Sequence, residues 1–294
     1  MKPPLHAVWL APLHGRLRKP PALFLDFDGT LAPIAPRPDT VRLDAEGRRL
    51  IRTLSRLAPV AIISGRAVKD LRARVGLTRL TYVGNHGLEI DGIGFRYRMK
   101  GARRWRRRLR EILHRIRSRL DVIPGVLIED KQVTASVHFR LVKGRARRTV
   151  ARRFVACVKP YVERGRMRLR RGKAVWEIRP PVAWDKGRAV LWILNRPAFR
   201  GRWPMYIGDD DTDQDAFRRI RGRGVGISVG PGRARGAARY AIAGPAQVRR
   251  LLTWVAAQLS GSRAADEDAA SSAVRTIMVA MNSRRFYTNF THLP

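Results

Sequence analysis

Five short stretches of the chain are apolar along almost their whole length rather than at alternate positions. They are ALFLDF (22–27), APVAII (58–63), LTYVG (80–84), WPMYIG (203–208) and GVGISVG (224–230). A strand that is apolar on both faces must be covered on both faces. Sheets of parallel strands joined by crossover helices provide that cover. The intervening segments carry helical periodicity, at 43–57 (LDAEGRRLIRTLSRL), 67–75, 186–195 and QVRRLLTWVAAQL (247–259). The expected fold is therefore α/β, with a parallel sheet and helices on both of its faces.

The alternation breaks after about residue 93. A basic helix over 102–120 precedes the strand-like GVLIEDK (125–131) and TASVHFR (134–140). A second helix over 145–163 precedes AVWEIR (174–179). The strand–helix alternation returns after Pro180 and Pro181. The spacing thus predicts a core of 21–94 and 183–260, interrupted by an α+β insert at 95–182. Residues 1–20 read as an irregular arm. Residues 261–294 read as a disordered tail, polar at first and then without periodicity.

Composition removes several classes. The 294 residues include one cysteine, Cys157, which excludes an intramolecular disulfide and a cysteine-rich zinc or iron–sulfur site. No run reaches 18 apolar residues, as an ordinary membrane helix requires, and no signal-peptide cleavage site follows the first apolar run. The cytoplasm is the expected compartment. Lys+Arg number 61 against 23 Asp+Glu, a formal net charge of +38. That excess suits either nucleic-acid binding or the arginine enrichment of a GC-rich genome. It is densest at 96–119, where Trp105, Leu109, Ile112, Leu113, Ile116 and Leu120 form one apolar helical stripe. A solvated amphipathic helix packed on its own domain is the expected reading, with a nucleic-acid or membrane-surface helix as the alternative. In either case the charge favours anionic substrates such as phosphate esters.

In a chain poor in acids, two carboxylate clusters stand directly after apolar strands. Asp26-Phe27-Asp28-Gly29-Thr30 follows the first. Asp209, Asp210, Asp211, Asp213 and Asp215 follow WPMYIG and hold five of the 23 acids within seven positions. Ligands of open parallel sheets bind at the carboxyl ends of strands. Clustered carboxylates are tolerable around a hard divalent cation, and oxygen donors suit Mg²⁺. Asp26 and Asp28 suit two-step phosphoryl transfer: one attacks phosphorus, and the other protonates the leaving oxygen and later deprotonates water. The competing reading makes either cluster a helix N-cap. Ser64-Gly65-Arg66 after PVAII and Lys186-Gly187 at a helix start supply groups suited to a phosphate. Each alone reads equally well as an ordinary turn or a surface lysine.

The order FLDFDGTL, IISGR, Lys186, GDD resembles the haloacid dehalogenase superfamily of aspartate-nucleophile phosphatases. Within it, the strings VGNHGLE (83–89), EDKQVTASVHFR (129–140), VWEIRPPVAWDKGRAV (175–190) and YIGDDDTDQDAF (206–217) are similar to those of the trehalose-6-phosphate phosphatase family. The resemblance runs from about Pro21 to Leu259. It implies a haloacid-dehalogenase-like Rossmannoid core with an inserted α+β cap, and Mg²⁺-dependent hydrolysis through an aspartyl-phosphate. Asp26 is then the nucleophile and a metal ligand, and Asp28 the acid/base, its carbonyl on the metal. Asp209 is a further ligand, and Asp213 supports that shell through water. Ser64, with Gly65 and Arg66, and Lys186 hold the phosphate. Glu129, Lys131 and Glu177 hydrogen-bond the distal sugar. His138, Arg140 and Arg179 lie on neighbouring strings, and Asn85, His86 and Glu89 where core meets cap.

One departure is Gln214, where the family usually has Glu. From the residues alone, Glu129 and Lys131 share one strand face and read equally as a weak surface ion pair. His138 reads equally as a satisfied strand histidine, and Cys157 as an inert buried thiol. The expected partners are a small-molecule sugar phosphate and, functionally, a trehalose-6-phosphate synthase, with no membrane and no sequence-specific nucleic acid. The alternatives are another capped sugar-phosphate phosphatase, or a nucleic-acid-binding protein on a retired phosphatase fold.

Overall fold

The computed structural model describes residues 13–35, 37–172, 174–230 and 236–261. The tail expected at 262–294 and the first 12 residues of the arm lie outside them. Of the arm, residues 13–17 are helical rather than irregular. Leu13 and Leu17, one helical turn apart, are 3% and 5% exposed and pack into the main core.

The chain divides into two compact units. The first comprises residues up to Ser64, Val68–Arg96 and the chain from Asp185 onward. The second comprises Gly65–Ala67 and Tyr97–Trp184, where the sequence expectation put 95–182.

The first unit is built on β1 (Ala22–Asp26), β2 (Val60–Ile63), β3 (Thr81–Gly84), β4 (Glu89–Gly92), β5 (Phe95–Arg98), β10 (Pro204–Gly208), β11 (Val225–Val229) and β12 (Tyr240–Ile242). They form one sheet in the order β12-β11-β10-β1-β2-β3-β4-β5. Pairing is parallel from β12 through β3, and β4 turns back antiparallel on β3. Its helices are α1 (Ala45–Leu57), α2 (Val68–Val75), α5 (Lys186–Leu194), α6 (Asp213–Ile220) and α7 (Pro245–Leu259).

Every residue of β1, β2, β3, β10 and β11 is buried, as two covered faces demand. Alternate residues go to opposite faces. Leu23, Leu25 and Ile207 join the core that includes Ile51 and Leu54 of α1 and Leu251, Leu252 and Val255 of α7. Phe24 points the other way, its ring 5.8 Å from Phe199, while the Tyr206 ring meets Phe217 of α6 edge-on at 5.4 Å. The register pairs Leu25 with Ile207 and Asp26 with Ile63. The chain therefore leaves the central neighbours β10, β1 and β2 at one common edge, and both acidic clusters stand there.

The second unit carries an antiparallel sheet in the order β6 (Leu127–Asp130), β7 (Ala135–His138), β9 (Val175–Arg179), β8 (Arg168–Gly172). Its helices are α3 (Ala102–Leu120) and α4 (Ala146–Glu163). The α3 stripe is buried at all six expected positions, and the Trp105 indole donates to the Val133 carbonyl at 2.6 Å. Phe154 of α4 stacks on Trp176 at 4.5 Å. The stripe is thus spent inside its own unit, which leaves it unavailable to a membrane surface. Cys157 is 4% exposed, and burial raises its thiol pKa, as an inert core thiol requires. The hairpin β4–β5 and strand β8 were not anticipated from the sequence.

Candidate active site

No helix begins at Asp26 or Asp28. The chain closes a tight turn instead, with Leu31 and Ala32 N–H donating to the Phe27 carbonyl. Helix α1 is capped by Asp44, whose Oδ1 accepts from Gly47 N–H at 2.7 Å. The N-cap reading of the first cluster therefore fails. Gly29 sits at φ +86°, and a Cβ there would stand 2.4 Å from the Asp209 carboxylate. Glycine permits both the turn and the close approach of the two clusters. In the second cluster the cap reading holds for one residue only. Asp210 Oδ1 accepts from Thr212 N–H, Thr212 Oγ1 and Asp213 N–H at 2.7, 2.6 and 3.1 Å, opening α6.

Lys186 is 1% exposed, so the surface-lysine reading also fails. Asp185 caps α5 by accepting from Arg188 N–H at 2.7 Å, which turns the next side chain inward. The Lys186 ammonium donates to Asp26 Oδ1 at 2.7 Å and Asp213 Oδ1 at 2.6 Å, with Asp210 at 3.7 Å. Asp213 is fully buried. Its Oδ1 also accepts from Tyr206 Oη at 2.6 Å and its Oδ2 from Asp210 N–H at 2.9 Å. Ser64 Oγ donates to Asp28 Oδ2 at 3.2 Å, and Thr30 Oγ1 reaches Asp209 Oδ1 at 3.5 Å. Asn85 and His86 are buried at positive φ (50° and 56°), and His86 N–H donates to the Ser64 carbonyl at 3.1 Å. Glu89 Oε2 accepts from Val68 N–H at 3.1 Å and so caps α2. Gln214 turns toward the 236–237 loop, its Oε1 accepting from Ala237 N–H at 3.0 Å.

Electrostatics here are those of too many acids around one cation. Burial, together with neighbouring carboxylates, pushes Asp213 up to about 7 and Asp209 up to about 6, and raises Asp26 well above the usual range, although Lys186 opposes each shift. Loss of water would raise Asp210 too, but Lys186, the Thr212 hydrogen bond and His86 hold it well below. Burial would lower Lys186, yet Asp210, Asp213 and Asp26 raise it well above its ordinary value. Asp26, Asp209 and Asp213 each offer a carboxylate oxygen within 4.8 Å of the others. An all-carboxylate oxygen set with one ammonium among four acids fits a hard divalent cation. Asp26 and Asp209 suit direct ligation. Asp213, its oxygens already accepting from Lys186, Tyr206 and Asp210, suits a place behind them.

The predicted sugar-binding residues fall in the second unit. Cross-strand register aligns Glu129, Ser136, Glu177 and Arg170 in one row. Lys131 Nζ lies 3.6 Å from Glu129 and 3.9 Å from Glu177, and donates to Ser136 Oγ at 2.9 Å. His138 Nε2 lies 3.2 Å from Glu129, and Arg179 pairs with Glu177, its Nε at 2.8 Å. Burial would raise Glu129, but Lys131, His138 and Arg66 bring its carboxyl down to about 2. Glu129, Lys131, Glu177, His138 and Arg179 thus form one polar network on the sheet face opposite Trp176 and Ile178. Lys131 is 10% exposed there, which sets the pair apart from a loose surface bridge. Arg140 stands apart. It is exposed beyond the end of β7, and its carbonyl accepts from Arg147. Arg66 is 5% exposed.

Sequence reasoning missed Tyr206 and gave Thr30 no role of its own. Tyr206 sits mid-strand among apolar residues and reads as core. Only the fold reveals that its hydroxyl has a buried carboxylate to serve.

A family model described as Trehalose-phosphatase matches residues 24–245. The trehalose-phosphate phosphatase of Mycobacterium tuberculosis (strain ATCC 25618 / H37Rv) is 35% identical over 262 residues, covering 87% of this chain and 66% of that protein. The chain thus spans just under two thirds of that relative. Trehalose 6-phosphate phosphatase RA3 of Zea mays is 33% identical over 248 residues, covering 78% and 68%. Among solved structures, a trehalose-6-phosphate phosphatase related protein superposes with a TM-score of 0.70 at 25% identity, covering 82% of this chain and 98% of that one. A haloacid dehalogenase-like hydrolase from Bacteroides thetaiotaomicron, 14% identical with a TM-score of 0.56, covers 81% and 100% and shares the fold.

Proposed function

The chain belongs to the trehalose-phosphatase family, and from that premise we propose that it is a Mg²⁺-dependent phosphatase hydrolysing trehalose 6-phosphate to trehalose and phosphate. The observation that carries the reading is the buried Asp26–Lys186–Asp213 arrangement, with Asp28 two residues from Asp26 and oriented by Ser64. A retired site has no reason to keep a lysine and these acids so buried.

Lys186 holds Asp26 Oδ1, leaving its other oxygen to attack phosphorus. As the ester P–O bond breaks, the protonated Asp28 gives its proton to the leaving sugar oxygen. An aspartyl-phosphate on Asp26 remains. Asp28, now a carboxylate, takes a proton from water, and the water oxygen attacks phosphorus. Phosphate leaves, and Asp26 is a free carboxylate again. Ser64 and the Lys186 ammonium bind the phosphoryl oxygens, while Asp213 and Tyr206 fix the position of Lys186. Asp26, Asp209 and the Asp28 carbonyl would hold a Mg²⁺, which would keep these carboxylates ionised and offset charge on the phosphoryl group.

The polar face of the second unit, with Glu129, Lys131 and Glu177, recognises the sugar hydroxyls. A trehalose-6-phosphate synthase would supply the substrate. The lone, buried cysteine suits the reducing cytoplasm.

Phosphate release from trehalose 6-phosphate, sucrose 6-phosphate and glucose 6-phosphate tests the reading, each with Mg²⁺, after chelation, and after Mg²⁺ is restored. Turnover fastest on trehalose 6-phosphate, lost on chelation and recovered with Mg²⁺, is expected. Preference for another ester would reassign the substrate, and full activity without divalent metal would remove Mg²⁺.

A further inference from the structure

The positive charge is not spread evenly over the fold. The second unit's 91 residues carry 28 Lys+Arg against 6 Asp+Glu, a net +22; the other 203 residues carry 33 against 17, a net +16. A genome-wide preference for arginine codons exchanges lysine for arginine everywhere. It does not remove acids from one unit.

Within that unit the excess concentrates on two helices. Helices α3 and α4 together hold 14 Lys+Arg and only Glu111 and Glu163 as acids. Arg103, Arg104, Arg106, Arg107, Arg110 and Arg117 of α3 are all exposed. Among the described residues no ion pair joins any α3 arginine to a carboxylate. Arg147, Arg148, Arg152 and Arg153 are exposed on the neighbouring α4, and Arg153 Nη1 donates to the Arg119 carbonyl at 3.1 Å, which joins the two surfaces. Arg103, Arg106 and Arg110, at helical spacing, line a concave site of about 340 Å³ with Asp130 and Gln132. Asp130 is already engaged there, its Oδ1 accepting from Gln132 N–H at 2.7 Å.

We propose that this two-helix arginine face binds the phosphodiester backbone of double-stranded nucleic acid, without reading its sequence. The apolar stripe of α3 is buried in its own unit, and of its large apolar side chains α4 exposes only Val155 and Val162, too small an apolar area to sink into a membrane. Among the described residues no Phe, Tyr or Trp side chain is exposed, so the face lacks the broad stacking platform that single strands use. It also lacks the aromatic anchors that centre protein interfaces. What remains is a row of guanidinium groups suited to paired hydrogen bonds with phosphate oxygens. Such contacts fix position on a duplex and carry no sequence information.

The test is fluorescence anisotropy of the full chain with labelled DNA duplexes of about 25 base pairs and two unrelated sequences, across salt. Equal affinity for both is expected. If about six arginines each neutralise a phosphate, raising salt from about 50 to about 200 mM weakens binding about a thousandfold. The triple variant R103Q/R106Q/R110Q should weaken binding at low salt and flatten the salt slope by about three. Its thermal midpoint and its phosphatase turnover should stay unchanged. A charge-matched control, R42Q/R49Q/R52Q on α1 and the loop before it, should cost markedly less. Equal losses from the two triple variants would mean that diffuse net charge, not this face, binds. No binding at low salt, a defined sequence preferred, or tighter binding to single strands or to phosphatidylserine vesicles would each overturn the proposal.

Discussion

Lys186 is the residue on which the site's balance turns. It is the one ammonium among four acids, and removing it leaves Asp26 and Asp213 buried with no counter-charge. Breaking a buried pair in this way costs about 3–5 kcal/mol. Lys186→Met should therefore lower the thermal midpoint and reduce turnover by at least about a hundredfold; an unchanged midpoint would mean that the carboxylates do not depend on it. Asp26→Asn should behave differently. It removes one of the crowded acids, so turnover disappears while the metal-free protein is at least as stable as before, as calorimetry and phosphate release would show together. The crowding also has a pH signature. Asp209 and Asp213 titrate near 6 and 7 in the metal-free fold, above their unfolded value of 3.8. A raised folded value means that their contribution is fully present below about pH 4 and is lost as pH rises through 6 to 7. A cation that satisfies the ionised acids then stabilises most where they are ionised. Mg²⁺ should raise the melting temperature more at pH 7.5 than at pH 5, and equal shifts at both would contradict the buried-cluster account. Asp26, Asp28, Asp209 and Lys186 stood out because acids are scarce in this chain and these stand at strand and helix ends in an order that resembles one superfamily, and the fold brings Asp26, Asp209 and Lys186 together. The Tyr206–Asp213 bond was not, because nothing local distinguishes a tyrosine with a buried partner from one that fills a core.

Elements set where those residues stand, and their ends are the sensitive points. Gly208 closes β10, and a Cβ on it would lie 2.4 Å from the Asp213 carboxyl carbon. Gly208→Ala should push Asp213 off Lys186, reducing kcat by about tenfold or more and lowering the thermal midpoint, because it parts a buried ion pair. A full-rate variant would show that Asp213 need not stand where it does. In the second unit the comparable weak point is packing. Ile116 is fully buried in the α3 stripe, and Ile116→Ala should cost about 2–5 kcal/mol, read from chemical denaturation. The same helix shows why some elements were legible. Its apolar residues recur at helical spacing over about four turns, and the sequence reading put it at 102–120, as observed. Strand β8, RLRRG, was invisible because four of its five residues are Arg or Gly. Its backbone is held instead by pairing with β9 from Arg168–Arg179 to Gly172–Val175, and a single-chain pattern does not report that partner. Hairpin strands β4 and β5, four residues each, carry too few alternations to register as a period.

At the scale of the whole molecule, labour divides between the two units. On the proposed function the first unit holds Asp26, Asp28, Ser64, Lys186 and Asp209 for the phosphate ester and the metal, and none of these would tell one sugar phosphate from another. Discrimination would then come from polar groups able to hydrogen-bond sugar hydroxyls, and the second unit holds a network of such groups already paired with one another. Lys131 sits between Glu129 and Glu177, while His138 and Arg179 fix the outer sides of the two carboxylates. Charged networks of this kind keep side chains from wandering between rotamers, so a sugar bound there would meet a preformed surface. A hydrogen bond from a charged group is worth roughly 1.5–3 kcal/mol, or about one to two decades in kcat/KM. Glu129→Ala, Lys131→Ala and Glu177→Ala should each cut kcat/KM for trehalose 6-phosphate by that much and leave a small aryl phosphate nearly untouched. The three effects should not add, because each removal unbalances the other two. The double variant Glu129→Ala/Lys131→Ala should therefore lose less than the two single losses combined. An equal loss on the disaccharide ester and the aryl ester would place these residues in the support of the fold, and the assignment of sugar recognition to the second unit would fall with it.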